Sequence, residues 1–429
     1  MREAKPRTEA TPARRPVASG TVFYPAATAY AAFAPLAFVA PALGLAPPLP
    51  GLASGTGHAH EMLFGFALAV VAGNQAGAMS RARLSLLFFT WLSARVAFLA
   101  APGGLVAAAA NAAFAALLLA AAVPRLAGAA KKARNFTLPG TIVAICASTL
   151  AFHVAQLAAG LAAARAVLGV AMLLFALLLL FMGGRILAPA IAGQLYRQGE
   201  HLAARVQPGI EWALIGAMML ALAAFVAGGE GLWRVLAAAA LVAAGVLAAV
   251  RLARWRLWAL RRRPDLLCLA AGYTWLAAGL ALWGASIGAD VGTTAALHLV
   301  AIGALGTLTL NVMAMSWHLM ARADPARSRA TVWGTGLIAL AALARAGAEV
   351  APEYVAALHG VAALAWSGAY VLLGTRMLRL KPFRHPPEMM THHGQLDRGA
   401  ELARAGEQRG DKQPPVREPP ALADPEHPQ

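Results

Sequence analysis

Five histidines, one glutamate and two arginines carry most of the chemical potential of this sequence. His58, His60 and Glu61 stand together in Gly57-His58-Ala59-His60-Glu61-Met62, while His153, His298, His359, Arg95 and Arg345 are spread over separate apolar runs. Imidazole is the commonest neutral ligand of transition metals and of haem iron, and a guanidinium fork matches a carboxylate. Imidazoles on separate helices can therefore grip a metal ion or a haem, with arginines on the haem carboxylates. Glu61 can hold an imidazole tautomer, relay a proton or simply sit near a helix N-terminus, and Arg95 can pair with Glu61 or serve a bound anion. A single histidine in an apolar helix more often only bonds a neighbouring helix, so the weight falls on whether the five share one place.

That place depends on the elements that carry them. The chain has 429 residues, of which 59% are hydrophobic and 13% charged, too few charges to cover a water-soluble protein of this size. Apolar runs of about 18 to 26 residues recur, long enough to cross a hydrocarbon core ~30 Å thick at 1.5 Å per residue. Leu and Ala dominate them without period-two alternation, so the spans are predicted as α-helices in an all-α, polytopic transmembrane bundle. Twelve spans are expected, at about 23–46, 60–79, 84–101, 104–123, 137–158, 163–188, 210–228, 232–250, 265–285, 293–318, 331–349 and 354–376.

The basic residues test this count. In alternate flanking segments, 27 Lys and Arg fall on one side and three, Arg165, Arg234 and Arg345, on the other. A missed or invented span would invert every later loop, so the split predicts both the helix count and cytoplasmic termini. The formal charge of +17 is thus a topology signal, and nucleic-acid binding is not expected. Residues 1–22 read as an uncleaved cytoplasmic tail, 23–376 as the membrane domain and 377–429 as a cytoplasmic tail, which loses apolar periodicity from about 385 and reads as disordered. Cys146 and Cys268 lie inside different spans, and no disulfide is expected. The bilayer is the expected partner, and nothing here sets the oligomeric state.

With this topology, His58, His60, His153, His298 and His359 all fall in the outer half of the membrane, with Glu61, Arg95 and Arg345 at comparable height. His58 and His60 cannot point the same way on one helix, since positions two apart diverge by ~200°. His318 and His201 lie on the inner side, and His385, His392, His393 and His427 belong to the tail. The pairs Gly73 with Gly77, Gly183 with Gly184 and Gly303 with Gly306 read as helix-packing positions, and Arg185 as snorkelling to the interface. No phosphate loop, nucleotide fingerprint or CxxCH haem attachment is present, so ATP-driven transport and covalent haem have no support.

The stretch His58-Ala59-His60-Glu61-Met62-Leu63-Phe64-Gly65-Phe66-Ala67-Leu68-Ala69-Val70 resembles the signature of the NnrS family, twelve-helix bacterial membrane proteins associated with haem, copper and the response to nitric oxide. Further blocks resemble the family in the same order: Arg134-Asn135 leading to Ala151-Phe152-His153, Gly184-Arg185-Ile186-Leu187-Ala188-Pro189, Gly272-Tyr273-Thr274-Trp275-Leu276, and Ala296-Leu297-His298 with Gly303-Ala304-Leu305-Gly306-Thr307. The chain departs where the family commonly has a His before the Gly-Tyr of span nine, here Ala270-Ala271. It departs again at Met79-Ser80-Arg81, in place of Pro-Asn-Trp, and at Met313-Ala314-Met315, in place of Met-Thr-Arg. These changes would remove one ligand or anion contact and mark a divergent subfamily.

The resemblance implies a bacterial inner-membrane protein with non-covalent, b-type haem and a candidate copper, acting in nitric oxide or nitrosative-stress metabolism. His60, His153 and His298 are the expected first ligands, His58 and His359 the second rank, with Glu61, Arg95 and Arg345 in support. No motif assigns catalysis. The alternatives are a secondary transporter that uses the same outer His/Glu layer for a small solute or protons, and a cofactor-free scaffold.

Overall fold

The structure, a computed structural model, describes residues 16–382. The predicted tail from 385 onward, its four histidines and most of the predicted N-terminal tail lie outside the described residues. Among the described residues, ten helices are long and apolar enough to cross a membrane. They expose large side chains such as Phe89, Val96, Val106, Trp333 and Leu364, the outward apolar surface that a bilayer covers.

The chain opens with β1 (Val17–Ala18), which pairs antiparallel with β2 (Ala78–Met79), and α1 (Gly20–Val39). Between them come α2 (Gly55–His60), a π-helical segment over Glu61–Ala67, and α3 (Leu68–Gln75). α4 (Arg81–Ala100) starts at Ser80, whose hydroxyl accepts from the Arg83 N–H at 3.4 Å, and α5 (Leu105–Gly128) follows. α6 (Thr137–Tyr196) runs for 60 residues but is broken at Gly160, whose φ of 80° and ψ of −171° leave the helical region. Sixty residues would extend ~90 Å as one helix, about three times the hydrocarbon thickness.

Two helices open on proline, whose missing N–H costs nothing at a first turn: α7 (Pro208–Val226) and α9 (Pro264–Gly288), with α8 (Gly231–Ala253) between them. α10 (Thr294–His298) passes through a second π-helical segment, Leu299–Gly306, into α11 (Thr307–Met320), and α12 (Arg329–Val350) and α13 (Val355–Arg379) complete the bundle.

α13 packs on both α1 and α12, so the last helix closes against the first. α9 lies at the centre, against α6, α8 and the Thr294–Met320 span. Small residues set the closest approach: a Cβ on Gly245 of α8 would meet Ala277 O of α9 at 2.6 Å, and one on Gly284 of α9 would meet Val242 N of α8 at 2.8 Å. The glycines singled out from the sequence also serve packing, Gly73 against Tyr24, Gly183 against Tyr273, Gly303 against Trp275 and Gly306 against Trp366. Ser19 gives its hydroxyl to Gly73 O at 3.0 Å and Trp317 its indole N–H to Leu380 O at 2.8 Å, which gathers Ser19, Gly73 and Leu380 at one end of the bundle. The site below lies at the other end.

Candidate functional site

The site begins where the chain enters α2. Ser54 caps the helix by accepting the Gly57 N–H at 3.1 Å, and the chain then presents His58, His60 and Glu61 within a single turn. His58 and His60 diverge as helical geometry requires. The His58 ring stacks on Phe38 of α1, with centroids 4.2 Å apart, whereas His60 stacks on Phe98 of α4 at 3.7 Å and meets His153 of α6 edge-on at 5.2 Å.

Glu61 is wholly buried and accepts three hydrogen bonds. The donors are His60 Nδ1 at 2.9 Å, Arg95 Nη1 at 2.5 Å and the Tyr30 hydroxyl. Arg95, 2% exposed, gives its other terminal nitrogen to Asn111 Oδ1, and Asn111 in turn bonds Ala107 O at 2.9 Å. An ion pair out of water survives only when most of its remaining lone pairs and protons are matched, and here each charge has a neutral partner as well as its counterion, with Arg95 Nε left buried and unpartnered. The pairing of Arg95 with Glu61 is one of the two the sequence offered. Tyr30, Asn111 and the ring partners Phe98 and Phe38 carry no sequence signal that marks them.

The π-helical segment gives this cluster its room. A Cβ at Gly65 would lie 2.8 Å from Arg95 Nη1, 2.9 Å from Tyr30 Cε1 and 3.1 Å from Glu61 Oε2, and the Gly65 carbonyl accepts the Trp91 indole N–H at 2.9 Å. Only glycine lets the arginine and tyrosine close over the carboxylate from both sides.

Because Glu61 takes the Nδ1 hydrogen of His60, the lone pair of that ring sits on Nε2. The Nε2 atoms of both His60 and His153 are buried without a hydrogen-bond partner. Two imidazoles that bind one ion through nitrogen at ~2.0–2.1 Å set their ring centroids ~5–6 Å apart, and the observed 5.2 Å lies in that range. A carboxylate on the far nitrogen is the usual companion of a metal-binding imidazole, because it fixes the tautomer and raises basicity. The separation of the two rings is compatible with one transition-metal ion shared between their Nε2 atoms. It does not fit a haem held between the two rings, which pack directly on each other and on Phe98 and Phe152.

The remaining histidines form a second group. His298, the last residue of α10, directs Nδ1 to Thr294 O at 2.8 Å, and it lies within electrostatic reach of His58, Arg345 and His359. His58 Nδ1 and His359 Nε2 are buried without partners, and Arg345 pairs with Glu349 at 2.8 Å on α12. The five histidines thus divide into His60 with His153 and His58 with His298 and His359, since the two-residue offset on α2 sends its imidazoles to different neighbours. Among the described residues, no three His, Cys, Asp or Glu side chains converge in an arrangement that could hold a metal ion. An apolar cleft lies elsewhere, between α3, α6, α9 and α11, walled by residues such as Val70, Leu179, Met182, Tyr273 and Leu308 and by no histidine.

Membrane-length helices that bury a charge-compensated imidazole and carboxylate site define a polytopic membrane protein with an intramembrane polar centre. The family model described as NnrS protein matches residues 21–380, and the chain belongs to that family. No curated protein matches the sequence.

Proposed function

We propose that the chain is a twelve-span bacterial inner-membrane protein that holds a transition metal at His60 and His153 and acts in nitric oxide or nitrosative-stress metabolism. The break at Gly160 and the three-piece segment from Gly55 to Gln75 support twelve crossings, and the 27 to three division of basic residues supports cytoplasmic termini with the histidines on the periplasmic side. The carrying observation is the pair of buried, unpartnered Nε2 atoms beside a carboxylate that fixes the tautomer of one of them.

Copper suits two neutral imidazoles, and haem is assigned to the second group, where His298 offers Nε2 and Arg345 a guanidinium. A bound transition metal would supply an open coordination position for a small ligand. The chain's own part is to hold imidazole lone pairs free, keep water out with Phe98 and Phe152, and balance Glu61 against Arg95. The carrier reading draws on the two interrupted spans, Gly55–Gln75 and Thr294–Met320, since broken helices line the substrate sites of transporters.

An optical spectrum with elemental analysis of the detergent-purified protein separates the readings. A Soret band lost on combined His60→Ala and His298→Ala substitution, with copper retained by the wild type, is the expected result. A colourless, metal-free preparation from metal-replete cells overturns it and favours the carrier.

A further inference from the structure

A second cluster of charge, part-buried around a buried Arg251, lies at the end of the bundle that carries Ser19 and Leu380. Its Arg134 precedes His153 by nineteen residues, ~25 Å or more along the helical run. Glu211, in the first turn of α7, accepts Arg134 Nε at 2.9 Å and Arg251 Nη2 at 2.8 Å. Arg251, 5% exposed, also gives Nη1 to Leu180 O at 3.1 Å and to the Tyr273 hydroxyl at 3.5 Å. Its position against α6 depends on Gly184, where a Cβ would meet the guanidinium carbon at 2.8 Å.

Donors exceed acceptors here. Arg251 Nε is buried without an acceptor, and so is the indole Nε1 of Trp255, one turn further on and wholly buried. A third guanidinium, Arg185 of α6, stacks on Phe181 at 4.5 Å and lies within electrostatic reach of Arg134 and Glu211. Half-buried Arg185 makes no hydrogen bond or ion pair among the described residues. Two guanidiniums thus hold one carboxylate, and a third lies within electrostatic reach of it without a bond of its own. Such an imbalance at low dielectric calls for an anion rather than for water alone.

The surroundings indicate its source. Tyr196, Trp212 and Trp258 are 72%, 51% and 63% exposed at this end, and amphipathic rings of this kind settle at the headgroup level of a bilayer. A phosphate diester offers tetrahedral acceptor oxygens to arginine forks and an indole N–H, and basic pockets between membrane helices take acidic headgroups. We propose that Arg134, Arg185, Arg251 and Trp255 bind the phosphate of an acidic phospholipid between α6, α7 and α8. Arg185, which the sequence suggests merely snorkels, is then the residue that closes the headgroup from the lipid side.

Thermal unfolding in nanodiscs of phosphatidylglycerol and of phosphatidylcholine with the same acyl chains tests this. The wild type is expected to melt about 2–4 °C higher in phosphatidylglycerol. Arg185→Gln, which removes no observed bond, should abolish the difference, while Arg234→Gln, an exposed partner of Asp290 on α8's other end, should retain it. Native mass spectrometry should count one more retained phosphatidylglycerol on the wild type than on Arg185→Gln. If millimolar inorganic phosphate in detergent reproduces the Arg185-dependent shift, the phosphate site stands and its ligand is soluble. Equal melting in both lipids without a phosphate shift, or an undiminished shift in Arg185→Gln, overturns the proposal.

Discussion

Replacing Glu61 by Gln keeps the shape of the buried cluster and removes its negative charge. Arg95, 2% exposed, then retains only Asn111 and the neutral amide as partners. Removing one member of a buried ion pair costs about 3–5 kcal/mol, because the survivor remains desolvated and uncompensated. With roughly 370 residues in the described bundle and ~2 cal/mol/K of unfolding entropy each, one kcal/mol moves the midpoint by ~1.3 °C, so Glu61→Gln should lower Tm by about 4–7 °C. Arg95→Met should do similar damage by stranding Glu61 with Tyr30 and His60. The double variant is the sharper measurement. It leaves no buried charge in the pair and orphans chiefly Asn111 Oδ1, at about 1–3 kcal/mol, so it should melt above either single variant. A temperature ramp on the four detergent-purified proteins, followed by circular dichroism, gives the cycle. Additive losses in the double variant, or a Glu61→Gln midpoint within about 1 °C of wild type, would refute the argument that the two charges sustain each other.

Three further outcomes follow from the same geometry. His153→Ala should release the ion assigned to His60 and His153 while His359→Ala retains it, read as metal per protein by elemental analysis; equal loss from both would mean that the two histidine groups are one centre. Gly65→Ala places a methyl 2.8 Å from Arg95 Nη1 and should cost about 1–3 kcal/mol by overpacking, seen as a lowered Tm with the helix content unchanged. For orientation, Leu45→Cys, 75% exposed after α1, should react with an impermeant maleimide in intact cells, and Val206→Cys, 52% exposed before α7, only after lysis. The buried native Cys146 and Cys268 keep the background low, and the reverse labelling pattern would invert the topology.

Much of this architecture is legible in the residues because bilayers impose two strong signals, apolar length and the sidedness of arginine and lysine. The first helix begins at Gly20, three residues before the predicted start, because Ser19 is anchored to Gly73 and Gly77 rather than left in a free tail. The backbone of α6 leaves the helical region at Gly160, between predicted spans five (137–158) and six (163–188), where the sequence interrupts its Ala and Leu with a glycine. At the site, height alone offered the Glu61 and Arg95 pair as one of two roles for Arg95, and the structure shows that pair. The division of the histidines into two groups could be half anticipated, since His58 and His60 must diverge, but which imidazole each one meets depends on helix neighbours. Tyr30 and Asn111 were illegible for the same reason: a tyrosine or asparagine in an apolar helix looks alike whether it faces a carboxylate or a backbone carbonyl.

The two π-helical segments connect fold to site. Each begins directly after a histidine, at Glu61 after His60 and at Leu299 after His298, and each contains a glycine on which a neighbour closes, Tyr30 and Arg95 over Gly65 and Trp275 over Gly303. A π segment inserts a residue into the helical count, so side chains before it are rotated relative to those after it without breaking the span. That rotation lets α3 and α11 keep their packing faces in the core while the preceding short helices aim imidazoles elsewhere. The cost is weaker backbone hydrogen bonding within the membrane, which packing alone does not require, since α8 and α9 pack closely through glycine with regular α-helical geometry. Irregular backbone at two histidine-bearing positions, and regular backbone where only packing is at stake, is the arrangement expected when the direction of the imidazoles is what the helices are built to set.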